Sequence, residues 1–416
     1  MKMNRFKLKE IANIVNGATP SSLNVENYGG NIVWITPNDL SKQKKKYIYI
    51  GERNITEIGY NSCSTKLLPV DSILLSSRAP IGLIAINKVE CCTNQGFKNL
   101  VINKEKCNVE FLYYYLKYHI KEIEKLGSGT TFKEVSKGLL EDYEVLLPLM
   151  DLQNKISKVL SNIDNKIELN NKINSELEAM AKTIYDYWFL QFEFPNEEGK
   201  PYKSSGGKMV WNDELKREIP EGWEVKNLID YCYLKNGINY NKEETVGEKY
   251  KIINVRDISS SSLFVNSNLL DEICISPNIA DKYLVNKNDI LIARSGSPGQ
   301  VRIISIKENM IFSGFIIKCE VKESKYKEYF IYVLKKIENL ISTKSNGSIL
   351  KNINQESLNM LKIVIPNMEI IDNFNSKIVS IHKKIENIME ENQELTSLRD
   401  FLLPLLMNGQ IGFKEE

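Results

Sequence analysis

Val145-Leu146-Leu147-Pro148-Leu149-Met150 returns later in the chain (145 to 363) as Ile363-Val364-Ile365-Pro366-Asn367-Met368. In both places an apolar run of strand character is closed by proline and followed by apolar residues at helical spacing. The same offset aligns Gly129-Thr130-Thr131-Phe132-Lys133 with Gly347-Ser348-Ile349-Leu350-Lys351. Beyond the prolines it places Ile163 on Ile381, Lys166-Ile167-Glu168 on Lys384-Ile385-Glu386, and Asn174, Glu176 and Leu177 on Asn392, Glu394 and Leu395. A register that long marks an internal repeat, so the chain is two diverged copies of one unit.

Upstream the match is looser but ordered. Asn16-Gly17 corresponds to Asn236-Gly237, Asn38-Asp39-Leu40 to Arg256-Asp257-Ile258, Ile73-Leu74-Leu75 to Ile290-Leu291-Ile292, and Gly96-Phe97 to Gly314-Phe315. Short apolar runs at Ile73–Leu75, Leu83–Ile86 and Leu100–Ile102, bounded by turn residues, read as strands. Phe111, Leu112, Tyr115, Leu116 and Ile120 read as a helix, repeated by Tyr329, Phe330, Val333, Leu334 and Ile337. Each copy therefore begins with a mixed α+β head.

After the prolines the apolar period changes. Leu152, Ile156, Val159, Ile163, Ile173, Leu177, Met180, Ile184 and Tyr187 form one stripe, interrupted at Lys166 and Asn170. Ile371, Phe374, Ile378, Ile381, Ile385, Ile388, Leu395, Leu398 and Leu402 form the other, with Asn392 in the seam. Both have coiled-coil spacing, and each helix would span roughly 50 to 60 Å. Two such stripes are best buried against each other, antiparallel, with a pseudo-twofold axis between the copies. Pro404 is expected to kink or end the second helix. The expected domains are a head at 1–148, a long helix at 149–190, a polar, Gly-rich linker at 191–222, a second head at 223–366 and a second helix at 367–410.

Composition excludes several classes. Seven cysteines without a C-x-x-C pair argue against a disulfide framework or a zinc ribbon. Two histidines, His119 and His382, leave almost no material for histidine-based metal or triad chemistry, and both read as incidental helix-surface residues. Neither a signal peptide nor an apolar run of membrane-spanning length is present, so a cytoplasmic protein is expected. Sequence motifs for an adenine methyltransferase, a phosphate-binding loop or a dinucleotide fold are missing. Glu320-Val321-Lys322, downstream of Asp289, reads as a strand with alternating faces rather than a nuclease centre. With 55 Lys and Arg against 53 Asp and Glu, positive charge for nucleic acid would have to be placed locally.

The segment Glu214–Val225, ELKREIPEGWEV, follows closely on TIYDYWFLQFEF at Thr183–Phe194. Together they resemble the central conserved region of type I restriction-modification specificity subunits. LRDFLLPLLMNGQI at Leu398–Ile411 resembles the C-terminal conserved region of that family. The resemblance covers essentially the whole chain. It implies that each head is a target recognition domain for one half of a bipartite, asymmetric site in double-stranded DNA. It also implies that the helices are a spacer and a docking surface for two modification subunits, joined by restriction subunits. The chain itself would be non-catalytic and bind no cofactor or metal. S-adenosylmethionine would belong to the modification subunits, and ATP with magnesium to the restriction subunits. The target base would be flipped into a partner's pocket.

Candidate DNA contacts follow from residue chemistry. Arg78, after Ser77 at a strand end, and Arg294, followed by Ser295 and Ser297, suit guanine edges and phosphates. Lys44 and Lys45, in a basic run from Lys42 to Lys46, suit phosphates, and Asn94, Gln95 and Lys98 surround a matched Gly-Phe pair. Ser128, Thr130 and Lys133 in copy one, and Asn346, Ser348 and Lys351 in copy two, lie on matched polar loops. Asn38, Arg256 and Ser313 complete the set. Solvated turns and helix caps remain open alternatives for each. Two rival functions are a scaffold bridging two proteins without DNA, and a specificity subunit of a related multi-subunit restriction-modification type.

Overall fold

The computed structural model describes residues 3–43, 45–127, 133–241, 246–267, 270–305, 309–344 and 353–413. It divides into two compact units, one of Met1–Leu169 with Asn392–Glu416, the other of Asn170–Glu391. Each unit thus takes one head and one half of each long helix, a division that cuts across the expected helix domains. Among the described residues no helix is long and apolar enough to cross a membrane.

In the first unit, strands Ala12–Asn16, Phe97–Ile102, Ile73–Ser77, Ile81–Asn87 and Tyr47–Ile48 lie in that order in one sheet. Arg53–Ile55, Tyr28–Ile35 and Cys92–Thr93 form a second. The second unit repeats the plan with Cys232–Asn236, Ile316–Val321, Ile290–Ala293 and Val301–Ile303, and with Asp271–Ile275, Glu248–Ile253 and Met310–Phe312. In both heads the second sheet carries one parallel pairing, Ile35 beside Thr93 and Ile253 beside Phe312. The strands before the prolines, Glu144–Leu147 and Lys362–Ile365, pair antiparallel with Asn4–Lys7 and Glu224–Asn227. The proline-ended stretches therefore tie the beginning of each head to its end.

A head helix then packs on a long helix in each unit. Phe111, Leu112 and Leu116 of Val109–Tyr118 are buried, as are Tyr329, Phe330 and Leu334 of Lys327–Lys344. Opposite them stand Ile156 and Leu160 of the first long helix (Met150–Tyr185) and Phe374 and Ile378 of the second (Met368–Met407). The repeat thus buries matched positions in matched cores.

The long helices are antiparallel within each unit. In the first, Arg399 Nη1 lies 3.0 Å from Asp164 Oδ1; in the second, Asn170 Nδ2 donates to Glu391 Oε2 at 2.7 Å. Ile156, Ile163, Ile378, Ile381 and Ile385 are buried, and Leu152, Ile173, Leu177, Ile388 and Leu395 are half-buried. The seam departs from the expected one at several positions. Val159 is half-buried and Leu160 takes the core, Met180 and Tyr187 are exposed while Ala181 and Trp188 are buried, and Leu398 is exposed. Arg399 occupies the inner position beside Leu398, drawn there by Asp164. Pro404 lies inside the helix, which runs on to Met407, because Leu406 and Met407 are buried in the first unit's core. That packing offsets the single backbone bond a proline removes.

Residues 191–222 are more than a polar connection. Phe192, Phe194 and Ile219 are buried with Trp223, Phe189, Tyr329 and Phe374 in the second unit's core. Phe189 stands edge-on to Tyr329 and Phe374, at 4.8 and 4.9 Å between ring centres. A hairpin, Met209–Asn212 with Arg217–Pro220, spans part of the segment. His382 is also buried, not on the surface. Its Nδ1 lies 2.7 Å from Glu328 Oε2, and its Nε2 is 2.9 Å from the Tyr332 hydroxyl. At the matching place in the first unit, the Tyr114 hydroxyl donates to Asp164 Oδ2 at 2.6 Å.

Candidate nucleic-acid interface

Backbone hydrogen bonds establish which positions of the two heads correspond. Gly17 N donates to Phe97 O at 3.4 Å, and Gly237 N to Ile316 O at 3.1 Å. Ser77 N donates to Gly96 O at 2.7 Å, and Arg294 N to Phe315 O at 2.9 Å. Val135 N reaches Ser77 O at 3.0 Å, and Ile353 N reaches Arg294 O at 3.1 Å. Arg294 therefore sits where head 1 has Ser77, and Ser295 where head 1 has Arg78. Likewise Phe315 matches Gly96, and Ile316 matches Phe97. The sequence pairing of the two Gly-Phe dipeptides is off by one residue. Residue types coincide there, while the ladder, which answers to backbone geometry alone, is shifted.

The glycines at 17 and 237 explain why this part of the scaffold is shared. A Cβ on Gly17 would lie 1.9 Å from Asn94 O, and one on Gly237 would lie 2.2 Å from Ser313 O. Two chain segments cross there at a distance that excludes a side chain. Around the crossing the strand-end loops and the short helices Pro37–Gln43 and Val255–Ser260 come together. The γ-carbon of Pro37 would lie 3.2 Å from a Cβ on Gly96, and that of Val255 3.2 Å from one on Gly296. Asp39 and Asp257, both buried, cap these helices by accepting from Thr36 N (2.7 Å) and Asn254 N (2.8 Å).

In head 1 this brings Arg78, Asn94 and Gln95 together. Arg78 is half-buried, with Nη1 3.8 Å from Glu134. Asn94 Oδ1 accepts from Gly96 N at 2.9 Å, and the exposed Gln95 bonds Thr19 through its side chain. In head 2, Asn236, Gly237, Asn239, Arg294, Ser295, Gly314 and Phe315 line a cleft of about 280 Å³. Ser297 is half-buried beside it in sequence. Asn38 is exposed and donates to Glu52 at 3.1 Å. Arg256 is exposed and pairs with Asp271 at 2.6 Å and Asp257 at 3.3 Å. Lys133 is exposed.

Other candidates are turned inward. Ser77 is buried, with its hydroxyl on Gly96 O at 3.2 Å, and Ser313 is buried. Lys98 is buried in the sheet with Nζ 3.0 Å from Glu134. Ser77 and Lys98 lie on strands covered on both faces and Ser313 at a buried strand end, so none can reach a duplex as it stands. Lys45 pairs with Glu168 of the long helix at 3.1 Å. The side chain of its neighbour Lys46 is buried, donating to Ser161 Oγ at 2.9 Å, and burial lowers its pKa against the pull of Glu110 and Asp164. The lysine run thus anchors the head to the helix at these two positions. Lys44, Ser128, Thr130, Asn346, Ser348 and Lys351 lie outside the described residues. Nothing in the sequence singles out Thr19 or Asn239, whereas Phe315 is visible in it as half of a matched Gly-Phe pair. Asn236 was visible in it as half of a matched Asn-Gly pair.

The family profile described as type I restriction modification DNA specificity domain matches residues 1–179 and again residues 220–398. The chain belongs to that family. Among relatives, it is 34% identical to the type I restriction enzyme MjaIX specificity subunit of Methanocaldococcus jannaschii, over 98% of this chain and 93% of that one. It is 24% identical to the HindI specificity subunit of Haemophilus influenzae, over 70% and 74%. Its fold is similar to the crystal structure of a type I restriction-modification S subunit from M. genitalium, with a TM-score of 0.55 and 16% identity, covering 100% of this chain and 97% of that one.

Proposed function

We propose that this chain is the non-catalytic DNA-recognition subunit of a type I restriction-modification complex, each head reading one half of a bipartite, asymmetric site. One observation carries the reading. The two heads share a backbone ladder around a glycine crossing, yet present different side chains at its rim. One scaffold with two rims suits two different half-sites. The long helices set the spacing between half-sites and dock two modification subunits, which supply S-adenosylmethionine chemistry. Restriction subunits, with ATP and magnesium, join that assembly. Arg78, Asn94 and Gln95 in head 1, and Arg256 and Ser295 in head 2, are the strand-end and helix-start residues placed to meet DNA; Asn38, Lys133 and Ser297 flank them.

Methylome sequencing of cells with and without the chain tests this. A bipartite adenine-methylation motif should vanish on deletion. Replacing residues 1–150 by the head of another family member should change one half of that motif. A change in both halves refutes independent heads, and an unchanged methylome refutes DNA recognition in favour of a protein scaffold.

A further inference from the structure

The ladder correspondence sets Phe315 against Gly96, and the two positions could hardly differ more. Phe315 is 61% exposed, on the rim of a cleft whose other side chains are Asn236, Asn239, Arg294 and Ser295. Its sequence-matched partner Phe97 is fully buried and belongs to a different ladder position. An exposed aromatic ring ringed by amides and a hydroxyl is unlike an apolar protein-docking patch, which would be broader and continuous.

The turn that presents the ring is clamped. Arg294 Nε donates to Ile353 O at 3.3 Å and Nη1 to Gly314 O at 3.2 Å, while its backbone N–H holds Phe315 O at 2.9 Å. Gly314 N donates to Ile238 O at 2.6 Å, and Ile316 N to Ser313 O at 2.9 Å. Asn239 closes over Gly314 so tightly that a Cβ there would stand 2.1 Å from its Oδ1. The arginine expected to read a base is therefore occupied in fixing the turn. It is a positioning residue for the ring beyond it.

We propose that Phe315 is the base-stacking contact of head 2, lying against the face of a nucleobase in the second half-site. Asn236 and Asn239 beside it offer paired donor and acceptor groups to the base edge. This rests on the DNA-recognition reading above. Stacking accepts any base because every base has a π face, and an apolar ring can unstack a step. Discrimination then falls to the amides, whose bidentate geometry suits adenine. Head 1 has glycine at the same ladder position and cannot unstack a base there. It reads through Arg78 and the Thr19–Gln95 pair instead.

The test uses the full chain assembled with its modification subunits, and a duplex carrying the methylome-defined site with 2-aminopurine scanned through the second half-site. The unaltered protein should raise 2-aminopurine fluorescence at one position besides that of the flipped target adenine. Phe315→Ala should abolish that rise and weaken duplex binding about tenfold, while Phe315→Tyr keeps both. Arg294→Gln should reduce the rise by letting the turn move. If Phe315→Ala keeps the rise and the affinity while the bipartite site is still bound, the ring is not the contact and DNA recognition stands. If Phe315→Ala instead loses modification subunits, the ring is a protein contact and the inference fails. If the unaltered assembly retains no duplex, the recognition reading fails with it.

Discussion

The head helix is fastened to its long helix at the same place in both copies, but with different chemistry. In the first unit Tyr114 donates to Asp164, which also pairs with Arg399. Ser161 Oγ donates to Glu110 at 2.5 Å, with Lys46 alongside. In the second unit Tyr332 meets His382, which is paired with Glu328. Tyrosine and the first-turn glutamate are kept, while the long-helix partner has changed from a carboxylate to an imidazole. The comparison teaches that the repeat preserves where a buried polar clasp sits, and leaves its charge free to diverge. The rims follow the same rule, with Ser77 and Arg294, or Gly96 and Phe315, on one ladder.

The largest expected difference comes from cutting the first clasp. Asp164→Ala removes the acceptor for both Tyr114 and the mostly buried Arg399, and should cost about 2 kcal/mol in urea denaturation. Hydrogen exchange should place the loss in residues 1–169 and 392–413. An equal loss in the second unit would break the two-clasp picture.

A smaller, pH-dependent effect should appear in the second clasp. Burial raises the Glu328 carboxyl, but His382 and Lys327 outweigh it and hold it below the usual glutamate value. A carboxylate lowered in the folded state stabilises the fold above its unfolded pKa of about 4.3, and that contribution is lost as pH falls through the lower folded value. Glu328→Gln should therefore flatten the acid limb of the stability curve below about pH 4.5. An unchanged limb would mean that the His382 clasp carries no charge-dependent stability.

The smallest effect separates two neighbouring cations of head 1. Arg78→Ala should reduce the salt slope of DNA binding by about one, whereas Lys98→Met should leave it unchanged, since Lys98 is buried against Glu134 while Arg78, farther from the same carboxylate, stays partly exposed. Equal slopes for both variants would show that burial does not sort the candidates.

The repeat, the α+β heads, the proline-ended strands and the antiparallel helices were legible because periodicity and turn chemistry are local signals. The rim was legible by neighbourhood and not by residue. Gly-Phe matches Gly-Phe in sequence, while the hydrogen-bond ladder of each head makes Phe315 the equivalent of Gly96, a slip visible in strand register alone. Lys98, Ser77 and Ser313 look like DNA contacts by type, but tertiary packing buries all three, on both faces of the strands that carry Ser77 and Lys98. The burial of Phe192 and Phe194 was hidden by the polar, Gly-rich stretch that follows them, because their shared partner Trp223 lies beyond it in sequence. In the seam, Val159 gave way to Leu160, which packs under the head helix, and Leu398 to Arg399, which meets Asp164 of the other long helix.

The burial of Leu406 and Met407 in the core of Phe111, Leu112, Ile156 and Leu160 has a temporal side. A ribosome delivers residues 1–169 early and residues 392–413 after the whole of Asn170–Glu391 has emerged. The head made first is the one finished last. Through the interval its helix and sheet wait with an apolar face uncovered, a nascent-chain interval in which chaperone occupancy on the first head should exceed that on the second.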